Sequence, residues 1–436
     1  GDWSSDVCSS DLTVLPLVPQ IGMMYLFLSF LEDSGYMARA AFVMDRLMQA
    51  LGLPGKSFVP LIVGFGCNVP SVMGARTLDA PRERLMTIMM APFMSCGARL
   101  AIFAVFAAAF FGQNGALAVF SLYVLGIVMA ILTGLMLKYT IMRGEASPFV
   151  MELPVYHVPH IKSLVIQTWQ RLKGFVLRAG KVIVIVSIFL SALNSFSLSG
   201  KVVDNINDSA LASVSRVITP VFKPIGVHED NWQATVGLFT GAMAKEVVVG
   251  TLNTLYTAED IQNEEFNPQE FSLGDELLAA VDETWQGLKD TFSLSVLANP
   301  IEASKGDGEM ETGAMGVMGS KFGSAAAAYS YLIFVLLYIP CISVMGAIAR
   351  ESSRGWMMFS VLWGLNIAYS LSTLYYQTVS FSQHPRYSLV CILAVILFNV
   401  VVFGLLRRAR SRVDVSLLAT RKTPTSCCQS PAGDCH

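Results

Sequence analysis

Residues Gly64-Phe65-Gly66-Cys67-Asn68-Val69-Pro70 interrupt an apolar run, Phe58 to Met73, that otherwise suits a lipid environment. Glycine gives up helical order readily, and proline removes a backbone donor and clashes with the preceding turn. Gly64, Gly66 and Pro70 around Cys67 and Asn68 therefore predict a helix broken inside the membrane. Carbonyls freed at such a break find no water in lipid, so the break must be buried in protein or line a wet cavity. A thiol, an amide and loose carbonyls there make a donor set for a cation. The same residues also fit a glycine-packed helix interface with an inert cysteine.

Composition sets the class. The chain of 436 residues is 53% hydrophobic and 14% charged, with mean hydropathy +0.55. Soluble domains carry about 25% charged residues. Runs of about 20 apolar residues predict an all-α polytopic membrane protein. The expected spans are Leu12–Leu31, Leu85–Phe111, Ala116–Leu137, Phe175–Phe196, Ala327–Ala349, Trp356–Gln377 and Leu389–Leu406. A formal net charge of −2 gives no reason to expect a nucleic-acid partner. The eight cysteines are scattered and outline no disulfide framework. Residues 1–11 are polar, lack an initiator Met and run abruptly into a span, so they are read as a non-native or truncated end and Cys8 receives no role.

Several residues are costly where they stand. Pro92-Phe93-Met94-Ser95-Cys96-Gly97-Ala98-Arg99 lies within a span, and Ala244-Lys245-Glu246 interrupts the apolar run Trp232 to Leu255. Tyr338-Ile339-Pro340-Cys341 breaks a third. Ionisable residues at membrane depth face a protein interior or a water-filled path. An amphipathic segment up to Leu53 is expected at the interface. Within it, Gly55-Lys56-Ser57 fails as a P-loop, because the first glycine of that motif would fall on Ala50. Residues 256–320 hold fourteen Asp and Glu against two Lys and read as an acidic extramembrane insertion. The tail carries Arg407, Arg408, Arg410 and Arg412 before Cys427, Cys428, Cys435 and His436.

Topology follows from charge. The positive-inside rule puts 138–175, 350–355 and the tail in the cytoplasm. All three share one side only if Trp232–Leu255 is a re-entrant hairpin, which leaves the acidic insertion outside. Phe58–Met73 then enters from the cytoplasmic side. An internal repeat agrees: Leu51–Leu78 overlays Ile225–Leu252 without gaps, matching Gly52 with Gly226, Phe65 with Phe239, and Thr77-Leu78 with Thr251-Leu252. Each half reads as span, amphipathic helix, re-entrant hairpin and two spans. That order predicts an inverted-repeat transporter with two re-entrant broken helices and a site at the repeat interface. The expected division is a first gate repeat over 12–138, a cytoplasmic loop over 139–174 and a second gate repeat over 175–377 containing the insertion. A final span (378–406) and a cytoplasmic tail (407–436) follow.

Four stretches resemble the membrane domain of FeoB ferrous iron transporters: Leu31-Glu32-Asp33-Ser34-Gly35-Tyr36-Met37-Ala38-Arg39, Gly64–Pro70, Pro92–Arg99, and Ala244 to Tyr256. The resemblance spans roughly residues 13 to 410. It implies inward transport of Fe2+ across a bacterial inner (cytoplasmic) membrane, small cytoplasmic accessory proteins as partners and a homo-oligomer. It assigns iron-ligand or pore-gate roles to Cys67, Cys96 and Cys341. It also implies a GTP-binding domain, with GTP and Mg2+ confined to it, ahead of these residues in full-length relatives. The present residues are thus expected to be a transporter without enzymatic activity of their own.

The candidate metal path is Cys67, Asn68, Cys96, Cys341 and Glu246, with Lys245 as the neutraliser of Glu246. The gate backbone is Gly64, Gly66, Pro70, Pro92, Gly97 and Pro340. Fe2+ accepts thiolate, imidazole and carboxylate ligands, and a thiolate lining suits it better than Mg2+. Structural alternatives stand beside each assignment: inert packing for the cysteines, an ion pair for Glu246, backbone satisfaction for Asn68. Arg99 is expected to anchor a carbonyl or carboxylate. Cys427, Cys428, Cys435 and His436 form a further possible metal set, although their spacing fits no standard zinc pattern. Another divalent metal (Zn or Mn), or a nucleoside in a related gate architecture, remains an alternative cargo.

Overall fold

The computed structural model describes residues 17–142, 159–174, 209–243, 245, 247–261, 312–382 and 384–409. Glu246, the fourth expected span (Phe175–Phe196), most of the acidic insertion and the tail with Cys427, Cys428, Cys435 and His436 lie outside the described residues.

The first half opens with α1 (Leu17–Asp33) and α2 (Tyr36–Leu51). Glycine closes α2: Gly52 takes φ 79, and its N–H reaches the Gln49 carbonyl at 2.8 Å. The chain then turns through 101° into α3 (Phe58–Gly66). Gly55 sits at the corner because a Cβ there would stand 2.3 Å from the Ala41 carbonyl oxygen. Its N–H donates to Asp45 Oδ1 at 2.7 Å. So Gly55-Lys56-Ser57 is a tight corner against α2.

Cys67 separates α3 from α4 (Asn68–Gly74), and the two arms fold back on each other. Ser71 Oγ donates to the Pro60 carbonyl across the hairpin at 2.6 Å. A broken span follows as α5 (Pro81–Met90) and α6 (Gly97–Phe110), and then α7 (Gly115–Thr140). Helix α8 (161–174) packs against α1.

The second half repeats this order. Helix α9 (Ala210–Ile218) and the turn Thr219–Ile225 end at Gly226, again left-handed at φ 98. A second hairpin, α10 (Trp232–Met243) and α11 (Val247–Ile261), comes next. Helix α12 (Thr312–Phe322) leads to a broken span, α13 (Ala325–Leu337) and α14 (Ile342–Glu351). Helices α15 (Arg354–Val379) and α16 (Pro385–Ala409) complete the described chain. Among the described residues, five helical stretches are long and apolar enough to cross a membrane.

Both hairpins return to the end they came from. The first has its base beside the basic loops: Lys138 Nζ donates to the Ala50 carbonyl at 3.0 Å, and Arg76 and Arg84 bind Glu351. The second closes at the opposite end, where Tyr256 Oη donates to Asn231 Oδ1 at 2.8 Å. Nearby, Gln377 Nε2 donates to the Pro224 carbonyl at 2.9 Å. Opposed re-entrant hairpins therefore match the topology that charge predicted.

The gapless overlay of the halves needs correction at the tips. Its register suits Gly52 with Gly226 and Phe58 with Trp232, each pair holding the same structural position. Beyond that, α10 runs for 12 residues whereas α3 stops after 9. Cys67 thus aligns with Gly241, which lies inside a helix rather than at its break.

The halves exchange arms. Helix α4 packs on α14, and α11 packs on α6, so each returning arm rests on the other half's broken span. Between the broken spans, Phe106 stacks on Tyr331 with centroids 5.3 Å apart, and Phe322 meets both edge-on. At the end that carries the basic loops Glu351 fastens α14 to the first half. Its side chain is 2% exposed and accepts from Arg76 Nε at 2.6 Å and Arg84 Nη2 at 2.7 Å. Arg84 also donates to its backbone carbonyl at 3.0 Å. The bond to Glu351 raises the Arg76 guanidinium above its ordinary value. A buried carboxylate with two guanidinium partners avoids the heavy penalty of an unpaired charge.

Candidate functional site

The first break is held by two side chains. Cys67 has extended backbone, φ −152 and ψ 130, between α3 and α4. The hairpin tip leans on the other interruption: a Cβ at Gly64 would stand 3.0 Å from Met94 Cβ. Asn68 Nδ2 donates to the Met94 carbonyl at 3.3 Å. Arg99 Nη1 donates to the carbonyls of Pro92 and Met94, both at 3.0 Å. Arg99 is 0% exposed. A proline-bearing break inside a span orphans carbonyls, and this guanidinium satisfies two of them. Arg99 thus anchors carbonyls, as expected.

Asn68 does two things at once. Its amide nitrogen serves the broken backbone, while its buried Oδ1 has no hydrogen-bond partner. Ser95 Oγ and the Nε and Nη2 of Arg99 are likewise buried without one. Groups in that condition call for a partner such as an ordered water or ion, or for a functional role. Gly97 begins α6, Pro92 is buried in the turn before it, and Pro70 is buried in α4. Gly66 faces outward, with Met24 Sδ 3.3 Å from where its Cβ would be.

Tyr338, Ile339, Pro340 and Cys341 form the second break, with Cys341 at the N-terminal boundary of α14. The tip of the second hairpin meets it. Lys245 is buried with Nζ 5.2 Å from the centroid of the Tyr338 ring. A Cβ at Gly241 would stand 2.5 Å from Tyr338 Oη, so only glycine fits there. Tyr338 also lies within electrostatic reach of Arg99, Cys341 and Cys96. Around Gly126 on α7 the Phe93 carbonyl, Ser95 Oγ and the Leu336 side chain all come within 4 Å of one point, so the two breaks lie side by side near this tyrosine. Sequence reasoning assigned Tyr338 no role, although its place directly before Ile-Pro-Cys was a usable signal.

Cys96 and Cys341 are brought to one neighbourhood. Cys67 sits at the first hairpin tip, next to the Asn68 that donates to the Met94 carbonyl. Among the described residues, no three His, Cys, Asp or Glu side chains stand close enough to hold one ion together. The described thiols therefore form no three-ligand cage. Cys67, Cys96, Cys341 and Cys391 are all unbridged and half-buried. Arg99 and Lys245 make the neighbourhood of the breaks cationic, so a divalent cation there requires deprotonated thiols or a carboxylate to offset them.

The Gate family, described as nucleoside recognition, matches residues 14–110 and 176–354. The family described as ferrous iron transport protein B C terminus matches residues 119–171. The chain belongs to the Gate family. It is 91% identical over 424 residues to a protein of Salmonella typhi named Fe(2+) transporter FeoB, covering 97% of this chain and 55% of that relative. A protein of the same name from Escherichia coli (strain K12) is 90% identical over 425 residues, again with 97% and 55% covered. The chain thus spans about half the length of the FeoB relatives it matches. No solved structure matches it.

Proposed function

We propose that this chain forms the membrane path of an Fe2+ importer in a bacterial inner membrane. The observation that carries the reading is the close approach of two interrupted spans, each bearing a cysteine, beside Gly126 on α7. Cys67, Cys96 and Cys341 act as successive soft donors, with Asn68 Oδ1 and the Glu246 carboxylate supplying oxygen. Separate steps suit conduction, because an ion must bind well enough to enter and weakly enough to leave. Thiolates favour Fe2+ over Mg2+, which holds its water and prefers oxygen. The gate repeats comprise 12–138 and 175–377, joined by the cytoplasmic loop. GTP and Mg2+ act on a domain of the full-length relatives beyond the matched residues, and accessory proteins and a homo-oligomer complete the system.

The test is initial Fe2+ uptake in a strain lacking other ferrous importers, with this region placed in a full-length relative. Cys67→Ser, Cys96→Ser and Cys341→Ser should each cut uptake strongly without loss of membrane insertion, because serine keeps size and loses most affinity for a soft metal. Cys391→Ser, on α16 outside both repeats, should leave it unchanged. Equal behaviour of all four variants would make the cysteines packing residues. The Gate description favours one second reading, a nucleoside carrier. Liposome uptake of labelled Fe2+, Zn2+, Mn2+ and nucleosides separates these cargoes.

A further inference from the structure

A cavity of about 800 Å³ lies at the cytoplasmic end, between α1, α2, the first hairpin, α8 and α14. Its wall is mainly apolar, with Leu28, Val63 and Met73 on three of these helices. Its rim carries Lys56, Arg76, Arg171 and Arg350 against Glu32 and Glu351. Both carboxylates are already engaged: Glu32 by Arg171 at 2.8 Å, Glu351 by Arg76 and Arg84. Among the described residues Lys56 reaches only the exposed Asp79, at 3.6 Å. Arg350 is exposed and pairs with no carboxylate among the described residues. The rim therefore keeps an excess of positive charge.

That chemistry excludes the cavity as a station for Fe2+. Among the described residues no thiol or imidazole lines it, and its cations repel a divalent metal. An occupant with an apolar body and an anionic end is complementary instead. Depth supports the same occupant. Helix α8 exposes Ile161, Val165, Ile166 and Trp169, and α2 exposes Phe42, Val43 and Leu47. Both helices adjoin the basic loops, so these outward apolar faces lie at the lipid–water boundary of the cytoplasmic leaflet. The cavity between them sits at head-group level. A volume of this size holds a molecule on the scale of a head group, its glycerol and the first chain segments.

We infer that the cavity seats an anionic glycerophospholipid of the cytoplasmic leaflet. Its phosphate lies at Lys56 and Arg350, and its chains run along the apolar wall. The inference stands apart from the identity of the transported ion.

The experiment uses the full chain in nanodiscs of equal phosphatidylglycerol and phosphatidylcholine, released into mild detergent, with retained lipid counted by native mass spectrometry. Phosphatidylglycerol should be retained in preference. The double variant Lys56→Gln/Arg350→Gln should lower the retained ratio of the two lipids about thirtyfold, the scale for two cations beside an anionic head group. Gly346→Leu projects from the cavity wall into space where an added Cβ meets no atom within 4 Å. It should reduce retention of both lipids with every charge in place, and it decides the matter if the double variant does not fold. Glycerol 1-phosphate should fail to displace the lipid. Equal retention of both lipids by the unaltered chain, no response to either variant, or displacement by glycerol 1-phosphate would overturn the inference.

Discussion

Replacing Glu351 with glutamine keeps its shape and removes the charge that Arg76 and Arg84 share. The magnitude follows from exposure. The Glu351 side chain is 2% exposed, Arg84 34% and Arg76 55%, so water compensates Arg76 more fully than Arg84. A hydrogen bond to a charged group contributes about 1.5–3 kcal/mol net, and a half-exposed pair under about 1 kcal/mol. Arg84 also keeps its 3.0 Å bond to the Glu351 carbonyl after the change. Together these give a loss of about 2–3 kcal/mol for Glu351→Gln. Unfolding of the purified chain in mixed micelles with a rising fraction of dodecyl sulfate measures it. Double-mutant cycles should give a coupling of about 1.5 kcal/mol with Arg84→Gln and about 0.5 kcal/mol with Arg76→Gln. A single-variant loss under about 0.5 kcal/mol with strictly additive cycles would show that the buried carboxylate does not join the two halves.

Three further outcomes are expected. Arg99→Met should strand the Pro92 and Met94 carbonyls and cost about 2–4 kcal/mol, with partial recovery in Arg99→Lys; the same micelle titration measures both. Gly241→Ala should drive a methyl group into Tyr338 and cost about 1–3 kcal/mol, whereas Gly250→Ala, with open space around its Cβ, should be neutral in that assay. Cysteines introduced as Asp290→Cys and Val150→Cys should be labelled by an impermeant thiol reagent from opposite faces of the membrane, position 290 from outside. Labelling from one face would contradict the opposed hairpins.

Much of this architecture is readable from the sequence because lipid removes most alternatives. An apolar run must be a helix, a glycine- and proline-bearing run must break, and basic loops must share one side. Those rules placed the breaks at Cys67, at Pro92–Cys96 and at Tyr338–Cys341, and they assigned the hairpins to opposite faces. Two of the four stretches behind the FeoB resemblance, Gly64–Pro70 and Pro92–Arg99, are these same breaks, since the residues that break a helix in lipid are few and distinctive. Arg99 was legible too, because a lone guanidinium in a span must find carbonyls or carboxylates.

Which break meets which was beyond the sequence. Periodicity and hydropathy act along the chain, whereas the packing of α4 on α14 and of α11 on α6 depends on side-chain shape between segments hundreds of residues apart. The consequences are local and particular. Tyr338 keeps its place in the second break because Gly241 leaves room for its hydroxyl, Asn68 reaches the Met94 carbonyl because Gly64 lets the hairpin approach, and Glu351 gathers two arginines from the other half. The sequence alone determined where the helices must fail. The tertiary structure decided what fills each failure, because in lipid a freed backbone group takes whichever donor packing delivers.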